Sequence, residues 1–74
     1  ELVVMAIDKI SVPAARKNAN LTQGDLAAIC GVSVSTVGNW ERYITEPTVS
    51  QAKKIAAAVG LCIDDISFLP ETTV

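Results

Sequence analysis

Seventy-four residues allow one small domain and no second one. Half of them are hydrophobic, yet Phe, Trp and Tyr occur once each, so Ala, Val, Ile and Leu must make the core, which suits close-packed helices. The net charge of −2 argues against nucleic acid, since phosphate binding is mostly electrostatic, although a small basic face can coexist with acidic flanks such as Asp64, Asp65 and Glu71.

A core of this size supports only a modest stability, about 3–5 kcal/mol. No stretch reaches the ~18 apolar residues of a membrane span. The opening run Leu2 to Ile7 is too short for one and lacks the basic start of a signal peptide. There is no His, no nucleophile beside a base and no Gly-rich phosphate loop, so nothing points to an enzyme. Cys30 and Cys62 have no metal-ligand spacing, and neither a metal nor another cofactor is expected. Both read as buried small hydrophobes, with a disulfide or redox switch as the alternative; a reducing cytoplasm fits.

In chain order, residues 1–9 are expected to form an N-terminal arm or to be a processing or cloning remnant, with Met5 a candidate natural start. The domain proper is expected over 10–69. Ser11 can cap a first helix whose first turn tolerates Pro13. Val12, Ala15 and Ala19 face inward with Arg16 close by, and Asn20 closes the helix. Thr22 caps a second helix, about Gln23 to Cys30, with Asp25 in its first turn and Leu26, Ala27 and Cys30 on one face. Gly31 ends it, and Val32 is an apolar plug in the turn.

Ser33 caps a third helix, about Val34 to Arg42, on which Val37, Trp40 and Glu41 share a face. Ser35, Thr36, Gly38 and Asn39 take the other face. The segment from Tyr43 to Pro47 is a loop. Thr48 caps a fourth helix from Val49 to Val59 with an apolar stripe of Val49, Ala52, Ile55, Ala56 and Val59, and Gly60 ends it. A final turn, Asp64 to Ser67, brings in Ile66, with Phe68 and Leu69 nearby, and residues 70–74 form a tail. Nothing reads as a strand pair. The fold class is all-α: a compact bundle of five short helices.

The second and third helices, joined by a tight turn with Gly31, carry the helix-turn-helix signature. The polar face of the third helix is informative in kind. A solvated helix usually carries Lys and Glu; Ser, Thr, Gly and Asn are poor helix formers and suit a face that meets something at close range. Trp40 could stack on bases, but sharing a face with Val37 points to core.

The run Leu21-Thr22-Gln23, Leu26-Ala27, Gly31-Val32-Ser33, Ser35-Thr36-Val37 and Trp40-Glu41 resembles the Cro/phage-repressor, or XRE, family of helix-turn-helix domains. The likeness continues through Pro47, Ile55-Ala56, Val59-Gly60 and Ile63-Asp64-Asp65-Ile66. It implies a lambda-repressor-like fold and a prokaryotic or phage regulator that binds double-stranded DNA as a dimer on a palindromic operator. That places it in the cytoplasm of a bacterial cell or phage-infected host. Residue by residue, it implies base contacts from Val34, Ser35 and Asn39. Asn suits adenine, Ser either kind of base, and Val a thymine methyl. It implies phosphate contacts from Gln23, Thr36, Arg42 and Thr48, and a structural ion pair between Arg16 and Glu41.

Three positions depart from the family. Tyr43 stands where Gly is usual, Glu46 where Lys or Arg is frequent, and Cys62 where a better N-cap is usual. Together with the acidic balance and candidate exposed residues such as Ile29, Glu46 motivates the alternative reading, a protein-interaction module with little DNA affinity. The apolar end Ile63, Ile66, Phe68 and Leu69 is a candidate dimer face; the alternative is that it closes the monomer core.

Overall fold

A computed structural model describes residues 9–68. Its elements in order are β1 (Ile10–Ser11), α1 (Val12–Asn18), α2 (Gln23–Cys30), α3 (Val34–Glu41), α4 (Val49–Val59), a 3-10 turn (Ile63–Asp65) and β2 (Ile66–Ser67). The arm at residues 1–8, Leu69 and the tail lie outside the described residues.

Each α-helix starts and stops by the same local chemistry. Ser11, Thr22, Ser33 and Thr48 sit in extended backbone, and each hydroxyl accepts from the N–H three residues on. That satisfies one of the donors every helix start leaves open. Thr22 with Asp25, and Thr48 with Gln51, complete the exchange in the reverse direction, the side chain at the third position accepting from the cap's own N–H. At the other ends Asn20, Gly31, Tyr43 and Gly60 all have positive φ. In each case the next N–H reaches back five residues: Leu21 to Arg16, Val32 to Ala27, Ile44 to Asn39 and Leu61 to Ala56. Four helices thus end in one reversal motif.

α2 packs on both α3 and α4, and α1 packs on α3, α4 and β2. The core between them is Val12, Leu26, Ala27, Cys30, Val37, Trp40, Ile55, Ala56 and Ile66. Leu26, Val37 and Ile55 are fully buried, each stabilising the fold by about 1.5–3 kcal/mol relative to exposure. The core is thus aliphatic apart from one indole and one thiol.

The structure corrects several expectations. There are four α-helices among the described residues, not five; the expected last helix is a three-residue 3-10 turn, and the chain is extended again at Ile66. β1 and β2 form a parallel ladder, Ile10 beside Ile66 and Ser11 beside Ser67, where no strand pair was expected. Two residues are too few to display alternation. Of the apolar end, Ile66 is core, and half-buried Ile63 and Phe68 pack against it. Val49 is 70% exposed, and the buried residues of α4 begin only at Ala52. Cys62 is exposed, in the link that follows the reversal at Gly60, while Cys30 is buried. Cys62 caps the 3-10 turn without any side-chain hydrogen bond.

Candidate nucleic-acid interface

α2, the turn at 31–33 and α3 form the helix-turn-helix. Its angle is held from beneath by charge. Arg16 on α1 donates from Nε to Oε2 of Glu41 at 2.6 Å and from Nη2 to Oε1 at 3.3 Å. Its Nη1 donates to the Leu21 carbonyl at 2.9 Å, in the link between α1 and α2. Gln23, first residue of α2, donates from Nε2 to Oε1 of Glu41 at 2.8 Å. One carboxylate at the end of α3 therefore ties three segments together. The Arg16 and Glu41 side chains are only 11% and 8% exposed, and a charge so buried requires this full set of partners. No buried side-chain nitrogen or oxygen among the described residues lacks a hydrogen bond.

Trp40 and Val37 turn the other side of α3 into the core, so Trp40 is no stacking platform. Opposite them, Val34 is 50% exposed, Ser35 is exposed and Asn39 is half-buried. Thr36 is half-buried, its hydroxyl 3.0 Å from that of Ser33. Thr48 is exposed at the start of α4, its hydroxyl accepting from Gln51. Gln23 is half-buried and committed to Glu41 through Nε2. Arg42 is exposed at the end of α3. Short side chains on a helix backed by a rigid core leave the backbone accessible for close approach.

Gly38 does not lie open on this face, as a helical projection suggests. It is buried, covered by the side chain of Arg42. The same guanidinium donates from Nη2 to Oδ1 of Asn39 at 3.1 Å. Sequence reasoning missed this contact and the Gln23–Glu41 bond. The available signal was spacing, three residues from Asn39 to Arg42 and four from Gly38, which places all three as neighbours on a helix.

Charge around the face is sparse. Glu46 is exposed in the loop after α3, and Lys53 and Lys54 are exposed on α4. Asp25 sits in the first turn of α2, where hydrogen bonds from the Thr22 backbone and hydroxyl hold its carboxyl below the usual carboxylate range. Burial pushes the Cys30 thiol up, and Lys54 opposes this only weakly. Among the described residues no group of His, Cys, Asp or Glu is placed to hold a metal ion, and no helix is long and apolar enough to cross a membrane.

Comparison with known proteins adds a family. No curated protein matches the chain. A family model described as a helix-turn-helix matches residues 14–66, from the third residue of α1 to the first residue of β2, and so covers α2, α3, α4 and the 3-10 turn in full. On that match and on the fold, the chain belongs to the XRE family of Cro/repressor-type, DNA-binding helix-turn-helix domains.

Proposed function

We propose that this domain is a sequence-specific transcription regulator of the prokaryotic or phage repressor/Cro type. α3 enters the major groove with its N-terminal half toward the bases. The observation that carries this reading is the polar face with exposed Val34 and Ser35 and half-buried Asn39, on a helix clamped from behind by Trp40 and the Glu41 network. Val34, Ser35 and Asn39 meet base edges. Gln23, Thr36 and Thr48 stand in first turns or at a cap, where helix N-terminal amides add to their side chains against phosphates. Arg42, the residue that caps the C-terminal end of α3, supplies a cation next to this helix. One such domain reads a half-site, and two copies on a palindrome supply the rest.

The experiment is a titration with operator-like and scrambled duplexes at several salt concentrations, beginning from a random-sequence library. The expected result is sequence preference with a shallow salt dependence, because the chain holds only six Lys and Arg. Sedimentation on DNA tests the two-copy arrangement. The second reading is a protein-interaction module on the same fold. Glu46, exposed in the loop after α3, and exposed Ile29, Ile44 and Val49 favour it. Absence of any DNA preference at low salt would select it.

A further inference from the structure

Asn39 on α3 and Arg42, the cap at its C-terminal end, are neighbours three residues apart, on the face that carries Ser35. Arg42 folds back along the helix instead of extending past its end. Its Nη2 donates to Oδ1 of Asn39 at 3.1 Å. Its guanidinium lies over Gly38, where a β-carbon would stand 3.6 Å from Nη1, 3.9 Å from Nη2 and 4.0 Å from Cζ. A longer side chain at position 38 would take the space the guanidinium occupies.

This contact fixes the Asn39 amide. With one Oδ1 lone pair engaged by an ionised donor, the pair keeps the two Nδ2 donors and the remaining guanidinium donors against a single free acceptor lone pair. Arg42 has N–H donors and no acceptor. Asn reads adenine by accepting from N6 while donating to N7, so at this position adenine N6 would share Oδ1 with the charged Arg42 donor. Guanine presents N7 and O6, two acceptors side by side, which match two donors from the protein.

We infer that Asn39 and Arg42 act as one reading unit that selects guanine over adenine at the base pair facing Asn39. Arg42 is then a specificity-determining residue, not the sequence-blind phosphate contact that the family likeness implies. Nδ2 of Asn39 donates to one guanine acceptor and an Arg42 N–H to the other, while the bond between them holds the spacing. This rests on the DNA-reading function proposed above.

The test enriches a random-sequence duplex library on the wild type, Asn39→Ala and Arg42→Ala. The position whose preference Asn39→Ala relaxes identifies the base pair. The wild type should show guanine there, about 5- to 150-fold over adenine. Arg42→Ala frees Oδ1 and should move the preference at that position toward adenine. Adenine in the wild-type motif, or Arg42→Ala weakening all sequences alike with the motif unchanged, overturns the unit and leaves DNA reading standing. No enriched motif for the wild type overturns both. Replacing the guanine with 7-deazaguanine removes one acceptor and requires no variant to fold. Wild-type affinity should fall, and unchanged affinity overturns the inference.

Discussion

Gln23 reaches from the first turn of α2 to Oε1 of Glu41 at the end of α3, 2.8 Å away, on the carboxylate that also holds Arg16. The residue that opens the first helix of the motif is thereby fastened to the residue that closes the second. Removing Glu41 strands a buried guanidinium and an amide together. Glu41→Ala and Arg16→Ala should each destabilise by about 3–5 kcal/mol, comparable to the whole stability of so small a domain, and so should abolish most or all of its urea transition. Gln23→Ala should lose about 1–2 kcal/mol, since Arg16 keeps its partner. Near-neutral midpoints for all three would show that packing alone sets the helix angle.

Gly38 lies in the interior of α3 without positive φ, so its backbone does not demand glycine. An added methyl group meets only the guanidinium of Arg42, at ordinary contact distance. Gly38→Ala should therefore stabilise the fold by about 0.5–1 kcal/mol through helix propensity. A lower thermal midpoint would mean that Arg42 cannot give way as this contact requires.

Tyr43 adopts φ 60° to reverse the chain after α3, in a position Gly fills after α2 and α4. An L side chain there is strained by roughly 1–2 kcal/mol. Tyr43→Gly relieves that strain but loses the packing of a half-buried ring. Tyr43→Asn keeps some of the left-handed tolerance. Both should unfold at or above the wild-type midpoint; a loss beyond about 1 kcal/mol would show that ring packing dominates the reversal.

The four reversals show what the sequence disclosed and what it hid. Ser11, Thr22, Ser33 and Thr48 each stand one residue before a helical run, and a short hydroxyl there has a single strong use. Gly31, Gly60 and Asn20 mark stops for equally local reasons. The β1–β2 ladder is the opposite case, because Ile10 and Ile66 find each other only after the whole bundle has closed between them. Val49 and Cys62 were misjudged for a related reason: periodicity gives a face, not where the core ends. On α3 the short polar face was legible, whereas the folding of Arg42 over Gly38 is one rotamer among several that spacing allows.

The two thiols should separate cleanly. Cys62 is exposed and Cys30 buried, with burial raising the Cys30 thiol. A thiol-reactive reagent at neutral pH should label Cys62 in the native protein and Cys30 only after denaturant is added. Mass spectrometry of the labelled peptides checks this. Equal labelling rates would mean that α2 opens readily.

Asp25 gives the domain a pH dependence of known sign. Its folded-state carboxyl titrates below the usual carboxylate range because Thr22 bonds to the charged form. Its contribution is therefore fully present above the ordinary carboxylate pKa and is lost as pH falls through the lower folded value. The difference in midpoint between wild type and Asp25→Ala should shrink as unfolding is followed from neutral pH into that acidic window. A difference constant with pH would assign the effect to helix propensity instead of the cap.

The parallel ladder has a mechanical meaning. Chain entering at Lys9 and chain leaving after Phe68 meet the domain at opposite ends of one short stripe, roughly 11 Å apart at sheet spacing. A pull applied between those two points shears the ladder, loading its hydrogen bonds together instead of peeling them one at a time. The load enters and leaves on one side of the bundle, across β1 and β2, before it reaches the joint between α2 and α3. A tug on the flanks thus meets two paired residues first, at a place apart from the Glu41 bonds that set the α2–α3 angle.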